Sequence, residues 1–263
     1  MDKLYQVPSD AQIKKFLRKI IFGSHIFCPK CHSRKIYTYE GRYRCRKCRR
    51  SFSLFSGTWL NGIKLPLRLF WLLLWCWTQK VPVLQSEKLC KLSEKAVRHW
   101  FDTFRKQLPD IQHSLNGTIQ MDEAYFKSLS LVMAKQKGSK KLVHSFVAGT
   151  SVSRPEVAEF LFQYVVPESD LHTDGAGIYR GIDRWWPVNH KRDIHRKWEF
   201  GKTSEIEGIF GCLRTFIRRM YHHVTMEKLP DVVAEFCVRF SHPELFNSPE
   251  SYLQNTIKTV PLR

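Results

Sequence analysis

Cys28-Pro-Lys-Cys31 and, thirteen residues further on, Cys45-Arg-Lys-Cys48 make one pattern of four cysteines. Each Cys-x2-Cys lets two thiolates of one tight turn reach the same ion, and two such turns supply a closed tetrahedron around Zn2+. A closed site leaves no position for water. The one Zn2+ expected on Cys28, Cys31, Cys45 and Cys48 is therefore structural rather than catalytic. Free thiols or a redox Cys-x-x-Cys fit less well, because two pairs at this separation rarely coincide. Strand-like stretches at Ile36–Tyr39 and Arg42–Arg44, divided by Glu40-Gly41, complete a zinc ribbon over residues 25–60. Pro29-Lys30 and Arg46-Lys47 put cations beside a site whose formal charges sum to about −2.

Upstream, residues 8–22 read as an amphipathic helix, the core of a leading segment over residues 1–24. Ser9 or Asp10 would cap it, with Ile13, Phe16, Leu17 and Ile20 on one face. The stretch Met1–Arg18 is polar and charged, unlike a secretory signal. The other four cysteines, Cys76, Cys90, Cys212 and Cys237, are scattered singles, which argues for a reducing compartment over a disulfide framework. Downstream, the apolar run Leu65–Trp77 contains Arg68 and is too short to span a bilayer. No membrane is expected as a partner. The chain has 263 residues, with 43 Lys and Arg against 24 Asp and Glu, a formal charge of +19. Basic clusters recur along it, which favours a polyanion, since each neutralised phosphate releases counterions.

Residues 61–112 read as a helical region that binds DNA. Leu84–Lys91 and Glu94–Lys106, divided by Leu92 and the cap Ser93, resemble a helix-turn-helix whose second helix carries Lys95, Arg98, His99 and Arg105. Two packed helices with an exposed basic face give the same pattern. From Gly117 the texture changes to short strands (Thr118–Phe126, Leu142–Gly149, Asp170–Thr173) and then two helices, Glu205–Met220 and Leu229–Phe240. That order predicts a mixed α/β domain over residues 113–263.

Three carboxylates stand out there. Asp122 lies on the strand face opposite Ile119 and Met121, Asp174 at the end of another strand, and Glu207 in the first turn of a helix. Each has an ordinary explanation: a strand-end polar residue, an Asp-Gly turn, and a Ser204-x-x-Glu207 capping box. Together they supply hard oxygen ligands from separate elements, which two-metal phosphodiester chemistry requires. Arg214, seven residues past Glu207 on the same helix face, could reach a phosphate beside them.

In these blocks the chain resembles the Merlin-related, zinc-ribbon insertion-sequence transposases. They belong to the class with a DDE triad on an RNase H-like fold. The matching blocks are Cys28–Cys31, Tyr43–Thr58, Met121-Asp-Glu-Ala-Tyr-Phe126, Thr173-Asp-Gly-Ala-Gly-Ile-Tyr179, Glu205–Arg214, Met220–Thr225 and Glu235–Arg239, in that order. The resemblance implies a multi-domain α/β chain: zinc ribbon, helical segment, then an RNase H-like mixed sheet with flanking helices. It implies Asp122, Asp174 and Glu207 as ligands of two Mg2+, and Arg214 where Lys is more usual, a change of geometry at constant charge. Ser204 stands where many relatives carry an Asn that some branches are thought to use in catalysis. Here Glu207 must carry that role.

The implied function is a DNA transposase. It would bind the terminal inverted repeats of a mobile element, cut the strand and transfer it to target DNA, acting as a homo-oligomer. Candidate DNA contacts are Lys95, Arg98, Lys140, Lys141, His190, Lys191, Arg192 and Lys197, with Lys135, Lys137 and Arg196 beside them. His190 is equally readable as a structural histidine. The expected location is the cytoplasm, on the nucleoid, or the nucleus in a eukaryote. A DNA-binding relative that no longer cuts, or a non-transposing RNase H-like nuclease, are the alternatives.

Overall fold

The computed structural model describes residues 6–111, 113–192 and 203–257. They form two compact units. One holds the chain up to Pro109 together with the stretch from Glu244, and the other is Asp110–Pro243.

The first unit opens with α1 (Asp10–Phe22). Ser9 caps it in a reciprocal box: Gln12 N donates to Ser9 Oγ, and Ser9 N donates to Gln12 Oε1 at 2.8 Å. Three short antiparallel strands follow, β1 (Ile36–Tyr39), β2 (Arg42–Cys45) and β3 (Ser51–Phe52). The two-residue turn Glu40-Gly41 has φ of +47° and +73°, the double left-handed geometry that matches hairpin twist. Phe22 packs edge-on against Phe27 and Tyr43, and Phe52 lies against both Phe22 and Tyr43, so α1 supplies the ribbon with part of its core.

Helices α2 (Leu67–Thr78), α3 (Val83–Cys90) and α4 (Glu94–Lys106) pack on one another. The turn between α3 and α4 is Lys91-Leu92-Ser93, and Ser93 Oγ accepts from Ala96 N. The residues from Glu244, expected to continue the α/β domain, join this helical unit instead. The reason is aromatic packing. Tyr252, on the helix Pro249–Thr256, is wholly buried among Trp59, Trp77 and Phe104, and its hydroxyl donates to Phe104 O at 2.7 Å.

The second unit is a five-stranded sheet in the order β6-β5-β4-β7-β8. β4 (Thr118–Tyr125), β5 (Leu129–Gln136) and β6 (Leu142–Ala148) form an antiparallel meander. The helix α5 (Arg154–Tyr164) then crosses to β7 (Asp170–Thr173), parallel to β4, and β8 (Asn189–Arg192) lies parallel to β7. Helices α6 (Ser204–Phe216) and α7 (Leu229–Ser241) close the unit. This is the RNase H-like arrangement.

Strand alternation divides the core in two. Ile119, Met121, Val132 and Ala134 join α5 on one face. Ala124, Leu131 and Met133 join α6 and α7 on the other.

Beyond α6 the chain widens into a π turn, Ile217–Tyr221. Tyr221 Oη donates to the fully buried Glu235 at 2.6 Å, and Arg239 Nε donates to the same carboxylate at 2.8 Å. Tyr221→Phe removes a donor to a buried charge and is expected to lower stability by about 2 kcal/mol, read from denaturant melts. Among the described residues no helix is long and apolar enough to cross a membrane.

Candidate functional site

The four ribbon cysteines converge. Their sulfurs all lie within 4.8 Å of one another, with Cys28–Cys48 and Cys31–Cys45 each 3.6 Å apart. Sulfurs about 2.3 Å from one tetrahedral ion stand roughly 3.8 Å apart, so spacing and donor chemistry both fit Zn2+. The two turns are built alike. The residue after each second cysteine is left-handed, His32 at φ +54° and Arg49 at φ +59°. Cys28 N donates to Ser33 O, and Cys45 N to Arg50 O. Burial opposes ionisation of Cys45, but the N–H groups of Cys48 and Lys47 outweigh it and draw the thiol down to about 6.

The carboxylates belong to the face covered by α6. β4 and β7 pair in register, Gln120 opposite His172, and continuing that register brings Asp174 level with Asp122. Asp174 follows the last residue of β7 and accepts from Ala176 N at 2.9 Å, which closes the turn. Glu207 is exposed in the first turn of α6. Burial raises the Asp122 pKa to about 7, and the charges of Glu123, Asp174 and Glu207 add to the rise, opposed by the N–H of Glu123. Among the described residues, the cysteines are the group of three or more ligating side chains within 4.8 Å, and the carboxylates are not drawn that tightly. A pair of metal ions about 3.5–4 Å apart divides its ligands, so such a site needs no single shell.

One sequence expectation is corrected here. Ser204 does not cap α6. It is the first helical residue, and the buried Thr203 before it donates its hydroxyl to Glu207 at 2.8 Å. The Thr203 side chain makes no cap bond to the backbone. The helix end is served from the sheet instead: Gln120 Oε1 accepts from Glu205 N and Ile206 N, both at 3.1 Å.

The basic candidates scatter. Lys135 is buried, and its ammonium is paired with Glu205 at 2.5 Å, so it is not a surface cation for DNA. Lys140 and Lys141 lie at the β5–β6 turn, beside the start of β4, with Lys141 donating to Ser114 O. Lys191 and Arg192 are exposed on β8, opposite His172 and Thr173, at the end of the sheet where Asp174 stands. Lys191 also bonds Asp170 at 3.3 Å. Arg214 is exposed on α6. In the helical unit Lys95 is exposed, whereas Arg98 pairs with Glu94 at 2.8 Å. Lys197, with Arg196, lies outside the described residues.

His190 is half-buried, and burial lowers its pKa. Thr173 donates its one hydroxyl hydrogen to Asp174 O, so its contact with His190 Nε2 at 2.9 Å is an N–H donated by the imidazole.

Sequence reasoning missed Glu123, Tyr179 and Gln120, and read Lys135 as a surface cation. Glu123 accepts hydrogen bonds from Tyr125 Oη at 3.0 Å and from the wholly buried Tyr179, which comes from the turn after Asp174. These bonds tie the Asp122 strand to the Asp174 loop. Of the missed residues, Gln120 carries a sequence signal, a polar residue between the core positions Ile119 and Met121.

Fold and site together define a zinc-ribbon protein with a carboxylate-bearing RNase H-like domain. Residues 8–51 match the model of the transposase zinc-ribbon domain, and residues 114–241 that of the ISXO2-like transposase domain. The chain belongs to the zinc-ribbon DDE transposases of insertion sequences.

A protein in transposable element ISH50 of Halobacterium salinarum is 24% identical over 126 residues, covering 46% of this chain and 43% of that protein. The chain thus matches less than half the length of this curated relative. A chain of the simian T-cell lymphotropic virus intasome complex aligns at TM-score 0.36 and 13% identity, over 66% of this chain and 71% of that one. The catalytic core domain of BIV integrase aligns at TM-score 0.33 and 14% identity, over 48% of this chain and 81% of that one. The fold assignment rests on the strand order, not on these scores.

Proposed function

We propose that this chain is a DNA transposase that cuts and joins DNA strands at the ends of a mobile element. The observation that carries the reading is the shared electrostatics of Asp122, Asp174 and Glu207, borne on β4, after β7 and on α6, in a chain of this family. Carboxylates with no ion-pair partner among the described residues fit hard divalent cations, and two Mg2+ are the natural occupants. Bound there, Mg2+ would supply Lewis acidity for phosphodiester hydrolysis and for attack by the freed 3′-hydroxyl.

The chain's own residues do the rest. Asp122, Asp174 and Glu207 hold and orient the cations. Arg214 on the exposed side of α6, with Lys191 and Arg192 on β8, takes the phosphates of the strand being cut. Lys140 and Lys141 bind more distant backbone, and His190, fixed by Thr173, holds the end of β7 in place. The zinc ribbon and the α3–α4 region, with Lys95 and Arg98, grip the terminal inverted repeats, phosphate contacts setting register and a few side chains reading bases. Both element ends must be held at once, so the working form is a homo-oligomer on DNA.

The test is direct. Purified chain, its element's end DNA and MgCl2 are expected to yield nicked ends with free 3′-hydroxyls, resolved on denaturing gels. Intact ends after incubation with MgCl2 would overturn the reading.

The Asp122 carboxyl adds a pH signature. A proton must leave before a cation can be held, so the MgCl2 midpoint for cleavage should fall about tenfold per pH unit up to about pH 7. The metal-free stability has the opposite slope. The folded chain holds the Asp122 proton more tightly than the unfolded chain, so stability is lost as pH rises from 3.8 to about 7. Melts in Mg2+-free buffer at pH 5 and pH 8 check the sign, and Asp122→Asn should remove its share of the slope.

A further inference from the structure

Glu207 can serve as a ligand only if α6 starts at a fixed height and rotation beside β4, and the first turn of that helix has unusual support. A helix presents four N–H groups at its start that find no partner within the helix. They are commonly met by the side chain of the residue just before it. Here that residue is Thr203, whose hydroxyl goes to the Glu207 carboxylate. The acceptor comes from the sheet. Gln120 is 1% exposed and receives Glu205 N and Ile206 N on one oxygen, 3.1 Å from each. Beside it Lys135, 6% exposed and borne on β5, donates to Glu205 at 2.5 Å.

We infer that Gln120 is a positioning residue for the metal site, clamping the first turn of α6 to the strand that carries Asp122. This rests on the proposed roles of Asp122 and Glu207. Gln120 precedes Asp122 by two residues, so alternation puts both side chains on the same sheet face. Glu207 follows the capped residues Glu205 and Ile206 within the same turn of helix. One amide side chain thus fixes the separation of two ligands that lie 85 residues apart in sequence. Its Nε2 has no hydrogen-bond partner among the described residues, so the acceptor oxygen is the group the helix uses. Lys135 restrains the same turn from the next strand and adds a charge restraint to the amide's directional one. The buried position and the two-donor geometry are what a placed helix end requires. A solvent-facing cap on Thr203 would not tie the helix start to β4.

The test uses the full chain and three readouts: hydrogen exchange at Glu205 and Ile206, calorimetric titration with MnCl2, and cleavage against MgCl2 concentration. Gln120→Met keeps length and removes the acceptor. Both amides should exchange at least about tenfold faster, Mn2+ affinity should fall about tenfold, and the MgCl2 midpoint should rise to match. Cleavage at saturating MgCl2 should largely recover, and end binding should be unchanged. Gln120→Asn, the same chemistry one methylene short, should move each readout the same way by less.

A lower melting temperature with unchanged Mn2+ affinity would reduce Gln120 to a structural cap and overturn the proposal. Protected amides in Gln120→Met would overturn it too. If neither variant folds, rapid exchange at both amides in the unaltered chain still refutes the clamp. The two readings fail separately. Cleavage surviving loss of Asp122 sinks the proposed function, whereas the exchange result bears on the clamp alone.

Discussion

Asp122→Ala should reduce Mg2+-dependent end cleavage at least about a thousandfold, the loss of some 4 kcal/mol of transition-state stabilisation. End binding should stay within about twofold. The asymmetry follows from where the residue sits. Asp122 is on the central strand of the second unit, whereas the proposed end-binding cations of the ribbon and of α4 belong to the first. Loss of activity through misfolding is distinguishable, because the same substitution should not lower the melting temperature in Mg2+-free buffer. The Asp122 carboxyl is held at about 7 by burial and by three neighbouring acids, so the folded chain is better off without its charge above that pH. A variant that melts no lower, binds ends and does not cut assigns the chemistry to this carboxylate. Retained cleavage refutes it. An inactive variant that also melts early points to damage rather than to a ligand.

Much of this was legible from the chain because the chemistry is local. Two Cys-x2-Cys turns carry their own geometry, and β1, β2, α4, β4 and β7 were predicted to within a residue. What escaped was what depends on neighbours. The core strand β5 is covered on both faces, so Leu131–Ala134 reads as an unbroken apolar run without alternation, and Lys135 beyond it looks like a surface charge. β8 failed for the opposite reason: Asn-His-Lys-Arg at a sheet edge has no apolar signal at all. α5 carries Pro155 in its first turn, where proline is tolerated, although in sequence it suggests a break.

The same distinction explains the site. The proposed ligands Asp122, Asp174 and Glu207 stand out in sequence because they lie in blocks that resemble the family. The contacts proposed to hold them together, Gln120 of β4 with the first turn of α6 and Glu123 with Tyr179, act across 85 and 56 positions of sequence. No window along the chain contains those pairs. Lys135 and Ser204 were misread for the same reason. A lysine's role depends on whether an acid from a distant helix arrives beside it, and a capping box depends on which residue the sheet leaves outside the helix.

Removal of zinc from the full chain should unfold the ribbon and abolish end binding, while the second unit keeps its sheet. The ribbon's strands are four, four and two residues long. Its buried apolar side chains centre on Phe52 and on Phe22 from α1. Burying such rings contributes about 2–3 kcal/mol each. Ordering the backbone costs about 1–2 kcal/mol for every residue held, so a few rings cannot offset residues 25–60. A structural zinc site at neutral pH supplies about 10–16 kcal/mol, enough to reverse that balance. The second unit has two hydrophobic clusters of its own and uses none of these cysteines, so its melting should be little changed. Cys45→Ser should act as the chelator does, since it removes one of the four thiolates that close the tetrahedron. Amide spectra should show loss of β1–β3 signals with β4–β8 retained, and gel shifts should show loss of end binding. Dispersed ribbon signals in zinc-free protein would mean that the aromatic cluster suffices, and the four cysteines would then need another purpose.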